Sequence, residues 1–151
     1  MVARYFEDYA VGAIFECGKV VADEAEIIAF ASRYDPQPFH IDPVLAAHGP
    51  YGGLIASGWH TIALTMRRLV EQYLSEASSL GSPGIDEVRW LKPVRPGDEL
   101  RVRVVVLDAR PSRTKPDRGL IRASIEVGNQ RGEQVLTMVA MNLMLLRTPN
   151  A

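Results

Sequence analysis

The sequence predicts an α+β chain in which a curved antiparallel sheet wraps one long helix. Three observations predict it. Between residues 51 and 74, apolar residues recur at helical spacing over the longest periodic segment of the chain. After residue 85 the period changes to two, with turn residues between the alternating runs. The 151 residues suffice for one core, and no repeat or low-complexity tract divides them, so residues 1–151 are expected to form a single domain.

The elements follow in order. Ile14–Val21 (IFECGKVV) reads as a first strand, with Cys17 packed in it. The segment DEAEIIAFASRY then has a helical pattern. Asp23 is placed to cap it, and Glu26 stands three residues on, as in a capping box. Ile27, Phe30, Ala31 and Tyr34 would form its apolar face. PVLAAHG reads as a helical turn ending at Gly49.

The long helix starts at Ser57, a good N-cap residue, with Gly58 just inside. Its expected buried stripe is Trp59, Ile62, Ala63, Met66, Leu69, Val70, Tyr73 and Leu74. IDEVRWLKP is a strand candidate ending at Pro93, and VRPGDE is a turn. Leu100, Val102, Val104 and Val106 alternate with polar residues, as do Ile121, Ala123, Ile125 and Val127. The last run, QVLTMVAMNLMLL, is apolar nearly throughout and reads as a strand buried on both faces. One helix covers only one face of such a sheet, so a second copy of the chain is expected on the remaining apolar surface.

Composition narrows the function. Hydrophobic residues make up 47% and the net charge is −1, which gives no field directed at nucleic acid or an anionic membrane. No run is long enough to span a bilayer, and the acidic N-terminus does not resemble a secretory signal. A lone cysteine rules out an internal disulfide and a cysteine-rich zinc site, so the expected compartment is the cytoplasm.

The segment YDPQPFHID, Tyr34 to Asp42, carries the chemistry. Its two prolines argue against a helix interior and for a stiff loop or turn that holds Asp35 and His40. An acid and an imidazole fixed on one short loop could hold a water between them. Asp42 before Pro43 reads as a cap, His48 as a loop residue, and His60 as structural or pocket-lining. Asp35, His40 and Ser57 are also the residue types of a hydrolase triad, but Ser57 lacks the G-x-S-x-G turn that exposes such a nucleophile. His40, Asp42, His48 and His60 lack a metal-ligand spacing, so no metal is expected.

These residues resemble the MaoC-like dehydratases, the (R)-specific enoyl-CoA hydratases of the hotdog fold. Asp35, Pro38, His40, Asp42 and Pro43 match the family's Asp-loop-His element. Gly58 matches the glycine that opens its central helix, and Pro93, Pro96, Gly97 and Asp98 match its later strand and turn. Tyr34 stands where many members have Gly, Gln37 where many have Asn, and Ser57-Gly58 where many have His-Gly. These departures bear on the substrate rather than the reaction.

The resemblance implies a hydro-lyase acting across the 2,3 bond of an enoyl thioester carried by CoA or acyl carrier protein. It implies a homodimer or dimer of dimers, with no metal or redox cofactor. Asp35 would be the base toward water and His40 would serve the proton at Cα. The Gly58 amide, with Ser57 beside it, would face the thioester oxygen. Tyr34, Phe39 and Trp59 flank these positions, so an aromatic-walled pocket for short or branched acyl groups is expected. Arg110, Arg113, Lys115 and Arg118 form a basic connection that could meet CoA phosphates or simply be solvated. The rival readings are a hotdog thioesterase and a catalytically silent acyl-thioester binding protein. The thioesterase reading wants a carboxylate near the start of the central helix, and SGWHTIALT has none.

Overall fold

The computed structural model describes residues 2–149. Strand β1 (Ile14–Val21) leads into helix α1 (Glu24–Tyr34), two short helices, α2 (Pro38–Ile41) and α3 (Pro43–Ala47), and the long helix α4 (Gly58–Gln72). Strands β2 (Ile85–Trp90), β3 (Glu99–Pro111), β4 (Arg118–Gly128) and β5 (Gln134–Leu145) follow. One five-stranded sheet results, in the order β1-β3-β4-β5-β2, with every neighbour antiparallel. This is the hotdog arrangement expected from the sequence. Among the described residues no helix is long and apolar enough to cross a membrane.

Alternation sets the sheet's faces. Leu100, Val102, Val104 and Val106 on β3 are fully buried, as are Ile121, Ala123, Ile125 and Val127 on β4. The register pairs Val104 with Ile125 and Ile125 with Met138, so the buried rows stand side by side under α4. Each such side chain contributes about 1.5–3 kcal/mol of apolar burial. Cys17 joins this core, and burial pushes its thiol up to about 11 despite the nearby Arg68. On β5 the inner row, including Leu136, Met138, Ala140 and Met144, is buried, as is Val135 at the start of the other row. Val139, Met141, Leu143 and Leu145 on the other face are half-buried, not enclosed as expected.

The face that α4 turns to the sheet is not the predicted stripe. Its buried residues are His60, Thr61, Leu64, Thr65 and Leu69. Thr61 and Thr65 are tolerated there because their hydroxyls bond back to the carbonyls of Ser57 (3.4 Å) and Thr61 (2.8 Å). Of the predicted stripe, Leu69, Tyr73 and Leu74 are buried, whereas Trp59 is 62% exposed and Met66 and Val70 are each 43% exposed. Trp59, Met66 and Val70 are thus left exposed by the chain's own sheet.

Prolines do not keep the acid-imidazole segment out of helix. Pro38 is the first residue of α2, where its missing N–H would be unpaired in any case. His40 thus sits in a helical turn, and Asp35 is the C-cap of α1. Asp23 caps α1 by accepting from the Glu26 amide at 3.0 Å. Asp42 caps α3 through the amides of Val44 and Leu45 at 3.0 and 3.1 Å.

Candidate active site

Two short elements and one helix start bring the site together. The C-terminus of α1 presents Asp35, α2 presents His40, and the first turn of α4 presents Gly58. Backbone bonds fix the crossing points: the Ile55 amide donates to the Phe39 carbonyl (3.0 Å), and the Ala56 amide to Val94 (2.8 Å). His40 is buried, and its Nε2 lies 3.3 Å from Asp35 Oδ2.

The other ring nitrogen sets the tautomer. His40 Nδ1 is 2.7 Å from the Ile55 carbonyl oxygen. A carbonyl can only accept, so Nδ1 carries a hydrogen and donates it. In the neutral ring, Nε2 then holds the lone pair that faces Asp35. A proton on Nε2 makes that approach favourable. Ile55 acts only through its backbone, so no residue pattern could have marked it.

Asp35 is well supplied with donors. Gln37 Nε2 donates to Oδ1 and the Ser57 hydroxyl to Oδ2, each at 2.7 Å. Burial works to raise its carboxyl, but the Gln37 and Ser57 hydrogen bonds and the His40 ring outweigh it and hold the group below the ordinary carboxylate value. Ser57 occupies the N-cap position of α4, yet its side chain makes no cap bond, being turned to Asp35. The amides of His60 and Thr61 both donate to the Ser57 carbonyl. Those of Gly58 and Trp59 have no acceptor among the described residues and stand free at the positive end of the helix.

A cleft of about 430 Å³ joins these groups; its lining includes Asp35, His40, Gly58, Phe39, Trp59 and Trp90. Among the described residues Asp35 is its only carboxylate. Tyr34 is a correction to the expected lining. Its ring is 64% exposed and packs 5.2 Å from Phe30, with Arg33 over its face. Residues four apart share a helix side, so the last residue of α1 turns back along the helix and away from Asp35. His60 does not line the cleft either; it is buried and stacked on Phe30, and burial lowers its pKa. Trp90 is among the lining residues that sequence reasoning missed, with Tyr51, Leu91 and Val94. The only signal for Trp90 was its place in the strand candidate IDEVRWLKP.

The basic connection does not reach this cleft within one chain. β3 begins at Glu99, paired with Val21 near the start of α1, and runs thirteen residues to Pro111. At about 3.3 Å per residue, the hairpin tip lies roughly 40 Å of strand from that end. Arg110 and Arg118 there pair with Asp108 and Asp117. A second cavity of about 400 Å³, over Glu16, Arg101, Arg103 and Glu126, is separate from the Asp35 cleft, and its Arg103 is paired with Glu16. Among the described residues, no group of three or more His, Cys, Asp or Glu could hold a metal ion.

Residues 11–128 match the family model described as MaoC like domain. A crystal structure of a MaoC-like dehydratase from Rhodospirillum rubrum is 42% identical. The alignment covers 97% of this chain and 99% of that one, with a TM-score of 0.89. An unliganded R-hydratase from Pseudomonas aeruginosa is 26% identical over 95% of this chain and 86% of its own, with a TM-score of 0.78. A 3-hydroxybutyryl-CoA dehydratase from Methylorubrum extorquens is 31% identical over 116 residues, 74% of this chain and 69% of that protein.

Proposed function

The chain belongs to the MaoC-like domain family, and from that premise we propose that it is a hydro-lyase that adds or removes water across the 2,3 bond of an enoyl thioester. The observation that carries the reading is the 3.3 Å approach of His40 Nε2 to Asp35 Oδ2 in a cleft that also exposes the start of α4. Relatives named as a hydratase and as a dehydratase support it.

In the hydration direction, Asp35 accepts a proton from water as the water oxygen bonds to Cβ of the substrate. The C=C electron pair moves toward the thioester, and Cα takes a proton from Nε2 of His40, which enters the step as the imidazolium with a proton on each ring nitrogen. The Asp35 proton then returns to the ring, so the pair ends as it began. Charge that builds on the thioester oxygen is met by the Gly58 and Trp59 amides. Ser57 positions Asp35 rather than touching the reacting atoms. The step as written calls on no metal or redox cofactor, and the acyl carrier is CoA or acyl carrier protein.

A thioesterase would use the same cleft to attack the carbonyl carbon. On α4 itself the only carboxylate, Glu71, lies in the last turn and is paired with Arg67 and Arg68. The test is a panel of enoyl-CoAs followed at once by loss of conjugated-enoyl absorbance and by release of free thiol. Hydration lowers the absorbance alone. Thiol release marks a thioesterase, and silence in both channels marks a binding protein.

A further inference from the structure

We propose that Trp90 is the specificity-determining wall of this acyl site and limits it to short or compact acyl groups. The proposal rests on the hydratase reading and names its substrate class.

Trp90 ends β2 opposite Leu136 on β5, and its indole lies against the first residue of α4. A Cβ built on Gly58 would stand 2.5 Å from Trp90 Nε1 and 2.6 Å from Cε2, closer than any side chain permits. Glycine at 58 is therefore required by the tryptophan as well as by any ligand. Trp59 braces the same ring edge-on, with centroids 5.6 Å apart and planes at 71°.

Two cavities follow one another along this side of α4. The first is the cleft that holds Asp35 and His40. The second, about 170 Å³, is an apolar groove lined by Ile62, Met66, Ile85, Met138 and Ala140 among others. They share no lining residue but follow one another on α4, and they take opposite ends of β2. On α4 one ends at Thr61 and the other begins at Ile62; on β2 Trp90 lines one and Ile85 the other. The Trp59–Trp90 pair stands in the cleft against Gly58, where a bound acyl group would begin. An acyl chain that leaves the Gly58 amide toward the groove meets the indole first. With the ring gone, the groove offers the tail an apolar continuation, and each methylene buried there is worth about fourfold in affinity.

The experiment compares the wild type with Trp90→Ala, Trp90→Leu and Trp90→Phe. Butyryl-CoA and octanoyl-CoA, which cannot be hydrated, are titrated by calorimetry. kcat/KM is measured in parallel on crotonyl-CoA and octenoyl-CoA. The wild type is expected to favour the four-carbon thioester. Trp90→Ala should move the octanoyl-to-butyryl affinity ratio at least tenfold toward the longer chain, Trp90→Leu at least fivefold, and Trp90→Phe less than threefold. If Trp90→Ala does not fold, Trp90→Leu decides. A ratio within twofold of wild type, a wild-type preference for octanoyl, or no saturable binding of either ligand overturns the wall. If the ratio moves but no enoyl thioester is turned over, the wall stands and the hydratase reading falls. If turnover is seen and the ratio does not move, the reverse holds.

Discussion

Ser57 donates its hydroxyl hydrogen to Asp35 Oδ2 at 2.7 Å, across 22 residues of chain, and so leaves its own helix uncapped. A cap bond is ordinarily worth about 1 kcal/mol. The serine forgoes it for the carboxylate that faces His40 through the same oxygen. That choice orders the site, and its removal has a pH signature. Asp35 must be ionised to act as a base, so activity falls as pH drops through its pKa, which lies below the ordinary carboxylate range. Burial opposes ionisation, and Ser57 is one of the hydrogen bonds that overcome it. Ser57→Ala should therefore move the acid limb of the kcat/KM profile to higher pH. An unmoved limb would remove Ser57 from the positioning role.

Asp35→Asn keeps the size of the side chain and removes the base. Hydration should fall by about two to four orders of magnitude with an unchanged circular dichroism spectrum. His40→Ala should behave alike. Because the two groups share one proton path, the double variant should be little worse than either single one. Losses that multiply in full would assign the residues to separate steps.

The outward face of α4 predicts association. Trp59, Met66 and Val70 lie exposed on the same side as Ile85, Trp90 and Leu91, more apolar surface than a free chain readily presents. The wild type should sediment as a dimer at micromolar concentration. Met66→Glu with Val70→Glu should shift it toward monomer. A fully active wild-type monomer under those conditions would refute the prediction.

Stability has its own probe. Gly119 on β4 lies beneath the Phe6 ring, which a Cβ at that position would penetrate. Gly119→Ala should cost about 1–3 kcal/mol by overpacking, read from the urea midpoint. Combined with Phe6→Ala, the two costs should add to less than their sum, because the second change opens the space that the first one fills.

Much of this was legible in the residues. β1 has the expected bounds, and the inward rows of β3 and β4 are those that alternation marked. Asp35 and His40 meet as their spacing implied. The stripe of α4 misled, because hydropathy cannot tell a face that packs on its own sheet from one that looks outward. Thr61 and Thr65 could be buried only because the helix itself satisfies them. Tyr34 was misplaced because adjacency in sequence is about a 100° turn on a helix. Trp90 escaped notice because its position depends on the pairing of β2 with β5, a long-range register that no local pattern encodes.

β2, the strand that carries Trp90, is an outermost strand of the sheet. A second molecule that added a strand there would stiffen the backbone under the indole. Linkage makes the effect reciprocal: whatever factor pairing contributes to acyl affinity, acyl binding contributes to pairing. With such pairing, protein concentration would become a variable of acyl choice. The acyl preference of the dilute protein and that of the concentrated protein would then be different quantities, separated by that coupling factor.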